Sequence, residues 1–252
     1  MAWERDIQIE SDAWRGRPLT TTGGRVWDAA HRMADFLEAM QEELGLSRPG
    51  MQILELGAGC GWLGMTIARS HPGARVCLTE MEHGGALEHL QHNVQLNQKD
   101  GKLGNVETCA CDWSHWVVSG EGEDEKGKRS EMAPLLETRW DLIIGSDLVY
   151  NEIGVQWLPK VLKGLLGKGT IALYSHTKHR LDMADQEFFA ELTANELIFT
   201  EVHEPGVPSP PPSPPFFESL FPDMRIAILR IERCQDDVKL PKFEMPKLAG
   251  AA

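Results

Sequence analysis

The chain has 252 residues, of which 42% are hydrophobic, which suits one large domain with a substantial core or two small ones. Its formal net charge of −13 argues against wide binding to nucleic-acid phosphates and fits a basic partner or substrate better. Five cysteines without a Cys-x-x-Cys pair, and no run near ~20 apolar residues, exclude a disulfide framework and a membrane span. The N-terminus has no apolar signal region, so we expect a cytoplasmic protein, with the nucleus or an organelle left open.

In chain order, polar residues 1–24 are predicted to form an N-terminal extension, and residues 25–234 a domain in which apolar runs alternate with helical periodicity. Helices are predicted over 25–46, 62–70, 84–98, 158–166 and 184–195. Strands are predicted over 51–57, 74–80, 104–113, 140–150, 169–176, 197–204 and 224–233. Residues 119–131 are predicted to form an acidic insertion, 204–222 a proline-rich loop and 235–252 a flexible tail.

Strands that alternate with helices predict an α/β fold. We expect a Rossmann-like, seven-stranded, mostly parallel sheet with helices on both faces. Only a loop separates the last two predicted strands, so the last strand is predicted to run antiparallel to its neighbours.

A dense run of glycines follows the first predicted strand, in "LELGAGCGWLG". Gly57, Gly59 and Gly61 would let the backbone approach a ligand closely and turn sharply into a helix. Counted from Gly57, the third glycine comes one residue too early for a dinucleotide fingerprint. Glu55 suits a cationic amino-acid group, and Glu80, which ends the second strand, suits a ribose diol.

Together these motifs resemble the S-adenosylmethionine site of the seven-β-strand methyltransferases. The segments "GGRVWDAA", "LELGAGCGWLGM", "NVQLN", "CDW" and "WDLIIGSDLVY" make the chain similar to the family-16 group. That group consists largely of protein-lysine methyltransferases that act on non-histone proteins. The similarity runs from about Gly23 to Arg233 and implies a methyltransferase domain over residues 25–234.

The resemblance implies S-adenosyl-L-methionine as cofactor and S-adenosyl-L-homocysteine as its product. Glu55 and the backbone from Gly57 to Gly61 would bind the methionine part, and Glu80 the ribose. Met81 and the Asp-Trp pair of "CDW" would contact the adenine. The whole expected cofactor site comprises Trp27, Glu55, Gly57, Ala58, Gly59, Gly61, Glu80, Met81, Asp112, Trp113 and Ser146.

The segment "SDLVY" matches the group's D-x-x-Y signature, which makes Asp147 and Tyr150 the expected catalytic residues. A free lysine has a pKa of ~10.4 and must lose a proton before it can attack a methyl group. A carboxylate such as Asp147 would draw the ammonium in, and a dry, aromatic-lined channel would disfavour the charged form. Tyr150 would be a wall of that channel or a hydrogen-bond partner of the amine, and aromatic faces also attract the ammonium and the sulfonium. The alternative role for Asp147 is that of a helix N-cap.

The sequence therefore predicts an S-adenosylmethionine-dependent N-methyltransferase that acts on a lysine of a protein. Methylation of histidine or arginine, a small-molecule substrate, or a cofactor-binding module without turnover stay open. We expect a protein partner, no nucleic acid, no membrane and a monomer. No metal is expected, because His176 and His179 lack a third ligand. His89 and His92 are expected to face solvent.

Overall fold

The structure is a computed structural model that describes residues 2–10, 22–99, 101–116, 134–178, 182–207 and 225–234. The predicted acidic insertion, the proline-rich loop from residue 208 onward and the predicted tail lie outside the described residues. His179 lies outside them as well. None of the described helices is long and apolar enough to cross a membrane.

The described residues contain one seven-stranded sheet in the order β3-β2-β1-β4-β5-β7-β6. Its first five strands are parallel, whereas β7 runs antiparallel to both β5 and β6, which confirms the predicted fold. The strands are β1 (Gln52–Leu56), β2 (Arg75–Glu80), β3 (Val106–Ala110), β4 (Leu142–Ser146), β5 (Ile171–Lys178), β6 (Leu197–Val202) and β7 (Arg225–Arg233).

Helices cover both faces of the sheet, because side chains of the buried strands alternate between two apolar cores. One core packs on α1 (Asp28–Ala39), α2 (Trp62–Ser70) and α3 (Ala86–Gln98). The other packs on α4 (Glu152–Leu165) and α5 (Asp182–Ala194).

Two helix boundaries differ from the prediction by six residues or more. Helix α1 ends at Ala39 rather than near residue 46, and Leu46 is buried from the turns that follow. Helix α4 begins at Glu152, six residues before the predicted start, with Pro159 inside it. A proline inside a helix removes a hydrogen bond. Here the buried side chains of Val155 and Leu158 hold the preceding turn against the sheet.

The strand order reverses direction between β1 and β4, so the carboxyl ends of β1, β2 and β4 border a crevice. Ligands of open α/β sheets bind in such a crevice. The glycine loop, Glu80, "CDW" and "SDLVY" each lie at the carboxyl end of a strand at this edge, whereas "GGRVWDAA" precedes β1 and "NVQLN" lies in α3. The topology therefore brings together segments that are up to 90 residues apart in the chain.

Residues 2–10 lie across the helices of the first core, with the side chains of Trp3 and Ile7 buried. Asn97 of α3 accepts from the backbone N–H of Gln8 (2.9 Å) and donates to its carbonyl oxygen (2.7 Å). The prediction that His89 faces solvent is wrong. Its ring is buried, and its Nε2 contacts the carbonyl oxygen of Glu10. The cause is this N-terminal segment, which covers a helix face that the local pattern leaves polar.

Candidate functional site

The glycine loop between β1 and α2 forms the floor of a cavity at the carboxyl edge of the sheet. Gly57 and Gly59 have positive φ angles of 57° and 56°, which L side chains rarely adopt. A Cβ on Gly57 would lie 2.6 Å from Leu148 Cδ2, and one on Gly59 would lie 3.2 Å from the Gly23 oxygen. The backbone conformation therefore disfavours side chains at both positions, and a side chain at Gly57 would also displace Leu148.

Gly61 is the one predicted site residue that does not line this cavity. It precedes α2 with a φ of 83°, and a Cβ there would lie 2.6 Å from Leu90 Cδ1. Position 61 needs a glycine because a side chain there would collide with Leu90, which packs beneath the loop. Asn93 of α3 donates to the carbonyl oxygen of Cys60 (3.2 Å) and fixes the same part of the loop from below. Asn93 belongs to the "NVQLN" segment, to which the sequence assigned no role.

Glu55 lies at the inner end of the cavity and is only 2% exposed. Its Oε2 accepts a hydrogen bond from Gly64 N at 2.9 Å. Burial raises the pKa of the Glu55 carboxyl to about 8. Within the described residues no basic side chain forms an ion pair with it. A ligand that brings a cation to this point would compensate for the cost of burying the charged form.

Glu80, at the end of β2, ties the glycine loop to the neighbouring strand. Its Oε2 accepts from Gly59 N at 2.9 Å and its Oε1 accepts from Met81 N at 3.0 Å. Burial raises the pKa of this carboxyl as well. Each oxygen keeps a lone pair for a further donor, so the carboxylate can accept from a pair of hydroxyls in the cavity.

Three tryptophans line the cavity, Trp27, Trp62 and Trp113, of which Trp27 and Trp113 belong to the predicted site. Trp113 lies over the backbone of Gly57, since a Cβ there would be 3.5 Å from Trp113 Cζ2. Asp112 holds the turn that carries Trp113, because its Oδ1 accepts from Ser114 N (3.0 Å) and Oγ (2.7 Å). The Trp27 ring stacks under the Arg25 guanidinium at 3.9 Å, which stabilises its position.

Asp147 and Tyr150 follow β4 and face the same cavity. Asp147 has a φ of +56°, which costs of order 1–3 kcal/mol for a residue other than glycine. The N-cap alternative for Asp147 is wrong, because Asn151 is the N-cap of α4 and its Oδ1 accepts from Gly154 N at 3.0 Å. Tyr150 is 39% exposed at the cavity rim. Backbone strain such as that of Asp147 is common at functional sites.

All the predicted cofactor-binding and catalytic residues except Gly61 thus line one cavity. Sequence reasoning missed further lining residues, although several lie within the quoted motifs. They include Gly23, Arg25, Cys60, His83, Leu148 and Asn151.

A family model described as lysine methyltransferase matches residues 5–195 of the chain. The chain belongs to this lysine methyltransferase family. S-adenosylmethionine is the methyl donor of the family, so the prediction of the family and of its cofactor is confirmed.

Similar relatives carry names from the same family. EEF1A lysine methyltransferase 3 of Mus musculus is 32% identical over 169 residues, which cover 67% of this chain and 61% of the relative. Protein N-lysine methyltransferase METTL21A of Danio rerio is 32% identical over 178 residues, with 71% and 70% covered. A UPF0665 family protein of Schizosaccharomyces pombe is 33% identical, with 54% and 36% covered. The chain thus spans less than two thirds of two of these three relatives.

Among solved structures, magnesium protoporphyrin IX methyltransferase from Synechocystis has a TM-score of 0.45 and 14% identity, with 82% of each chain covered. Likeness at this level is limited to the general arrangement of the sheet and helices.

The cavity residues fit the family cofactor on two observations. Gly57 and Gly59 line the cavity without side chains, so a ligand can approach the backbone of the loop. The buried carboxyl of Glu55 and the half-buried carboxyl of Glu80 face the cavity without an ion-pair partner among the described residues, and both keep lone pairs free for donors. A molecule with an ammonium group and a ribose diol complements that donor-poor, acceptor-rich set.

Proposed function

We propose that this protein is an S-adenosylmethionine-dependent N-methyltransferase that modifies a lysine side chain of a non-histone protein. One observation carries the proposal. The glycine loop, the carboxyls of Glu55 and Glu80, and the Asp147–Tyr150 segment all line a single cavity. A methyl donor and an acceptor amine could therefore meet within it.

We assign the cofactor contacts as follows. Glu55 and the backbone of the loop that begins at Gly57 hold the methionine part, and Glu80 holds the ribose hydroxyls. Met81, Asp112 and Trp113 surround the adenine. Ser146 and Trp27 complete the walls of the cavity. When bound, S-adenosylmethionine supplies an electrophilic methyl group on a sulfonium centre.

The chain's own residues prepare the amine. A lysine with a pKa of ~10.4 arrives as ammonium, and the carboxylate of Asp147 attracts it to the cavity mouth. Tyr150 contributes an aromatic wall at the exposed rim, where its ring face attracts the incoming ammonium. The ammonium passes its proton to solvent water at the exposed rim, which leaves the amine lone pair free for the in-line attack that alignment in the cavity promotes.

A protein substrate is supported by the relatives, whose names describe lysine methylation of proteins. Histidine or arginine methylation, a small-molecule substrate, and a binding module without turnover are the competing functions. The monomeric state and the cytoplasmic location stay predictions of the sequence.

The test is to incubate the protein with methyl-labelled cofactor and a lysate of its own cells, and to identify the labelled residue by mass spectrometry. We expect a labelled lysine in a protein with the wild-type chain. We expect at least tenfold less label with Asp147→Asn at unchanged calorimetric affinity for the cofactor. Label on histidine or arginine, or in small molecules only, would replace the proposal with that alternative. Cofactor binding without any labelled product would favour the binding module.

A further inference from the structure

The segment from Asp147 to Tyr150 lies between β4 and α4 and belongs to neither element. Its backbone amides therefore need partners from elsewhere in the fold. Asp147 N donates to the carbonyl oxygen of Ser175 in β5 at 3.0 Å. The next two amides, of Leu148 and Val149, are buried and have no backbone partner in the described residues.

A single side-chain oxygen accepts from both of these amides. The phenol of Tyr174, in β5, lies 3.0 Å from Leu148 N and 3.0 Å from Val149 N. Tyr174 is only 3% exposed and does not line the cavity. Because two N–H groups donate to its oxygen, both lone pairs of the phenol are occupied.

The phenol proton must then be donated, and His176 is its neighbour. The Nδ1 of His176 lies 3.4 Å from the Tyr174 hydroxyl, so this nitrogen is the acceptor and the ring proton sits on Nε2. Nε2 faces Asp185 Oδ1 of α5 at 3.0 Å, although the oxygen lies off the N–H axis. Both side chains are 2% exposed. A chain of polar contacts thus runs from α5 through β5 to the segment after β4.

Packing fixes the same segment from the other side. The Leu148 side chain fills two glycine positions, since a Cβ on Gly57 would lie 2.6 Å from its Cδ2 and one on Gly145 2.7 Å from its Cδ1. Its carbonyl oxygen is covered by Gly154, where a Cβ would lie 2.1 Å away. The left-handed conformation of Asp147 persists because its neighbours are held in this way.

We infer that Tyr174, itself oriented by His176 and Asp185, is a positioning residue for methyl transfer that holds the Asp147–Tyr150 segment in its active conformation. The inference rests on the proposed function for the roles of Asp147 and Tyr150. Tyr174 acts through the backbone of Leu148 and Val149 and touches neither substrate nor cofactor.

The test is Tyr174→Phe, which removes the oxygen and keeps the ring. We expect kcat on the protein substrate to fall at least tenfold, while the calorimetric Kd for the cofactor changes less than threefold. The amides of Leu148 and Val149 should exchange with deuterium at least tenfold faster than in the wild type. Thr170→Val is the matched control, because it deletes a buried hydroxyl that donates to the Trp140 oxygen (2.7 Å) beside the opposite end of β5. It should leave kcat and both amides within twofold of wild type.

Wild-type kcat in Tyr174→Phe, or unchanged exchange of the two amides, would overturn the inference. If Tyr174→Phe does not fold, His176→Leu keeps the oxygen and removes the acceptor of its proton. A threefold or greater loss of kcat at unchanged cofactor affinity supports the inference, and a wild-type kcat overturns it. The exchange measurement needs no substrate, so it still decides if the wild-type chain methylates no protein and the proposed function fails.

Discussion

Glu55 and Glu80 show how neighbouring carboxyls differ at the scale of single residues. Glu55, in β1, lies against α2 and accepts from one amide, that of Gly64. Glu80, at the end of β2, accepts from two amides. Burial raises the pKa of both carboxyls. Binding of a cation would therefore matter most at Glu55, and binding of hydroxyl donors at Glu80.

Glu55 should make the stability of the unliganded protein depend on pH. Its pKa is about 8 in the folded state against 4.5 for the ordinary carboxyl, so between these values the folded chain holds a proton that the unfolded chain has lost. The stability that comes from this bound proton is fully present below pH 4.5 and is lost as pH rises through 8. Between these values the free energy of unfolding falls by about 1.4 kcal/mol per pH unit. Urea unfolding of the wild type and of Glu55→Gln at pH 5.5 and 7.5 measures how the free energy of unfolding of each protein changes with pH. Equal pH slopes for the two proteins would contradict the prediction.

Glu80→Ala should weaken cofactor binding by roughly 10- to 100-fold, because a hydrogen bond to a charged group contributes about 1.5–3 kcal/mol. Titration calorimetry measures the Kd. Glu107→Ala, on the adjacent strand β3 with its side chain exposed, is the matched control and should bind as wild type does. An unchanged Kd in Glu80→Ala would remove the ribose assignment.

At the scale of elements, the close approach of α4 to the end of β4 decides the shape of the Asp147–Tyr150 segment. Helix α4 begins at Glu152, and its third residue, Gly154, lies against the carbonyl oxygen of Leu148. The periodicity of the sequence indicated a helix here but placed its start at Leu158, next to Pro159. Tertiary packing of Val155 overrides the local preference of proline to begin a helix.

Gly154→Ala should destabilise the protein although alanine is the better helix former. The gain in helix propensity is at most about 1 kcal/mol, whereas a Cβ at 2.1 Å from the Leu148 oxygen forces the helix away. We expect a net loss of about 2 kcal/mol, or a Tm lower by about 6 °C in a thermal melt. Gly104→Ala, with nothing near its Cβ position, is the control and should melt as wild type does. A raised Tm in Gly154→Ala would contradict the prediction, because it would mean that α4 can shift to accommodate the Cβ.

At the scale of the whole molecule, the net charge of −13 should act on substrate encounter more than on chemistry. Long-range attraction of a basic protein substrate weakens as the Debye length falls from roughly 10 Å at 0.1 M salt to roughly 3 Å at 1 M. KM for the protein substrate should therefore rise roughly several-fold between about 0.05 and about 0.3 M salt, with kcat nearly constant. Steady-state kinetics over a salt series measures KM and kcat, with a short lysine-containing peptide as the control substrate. A salt-independent KM for the protein would contradict it.

The sequence by itself determined the order of strands and helices along the chain and the chemical character of the site. The site is marked by local patterns: glycines, a carboxylate that ends a strand and an Asp-x-x-Tyr segment. Such patterns can be recognised in a sequence because they reflect local conformational preferences. Only the tertiary structure decided that Tyr174 holds Leu148 and Val149, 26 and 25 residues away in the chain. The pairing of β5 with β4 creates that contact, and the periodicity of one sequence carries no record of which strands become neighbours.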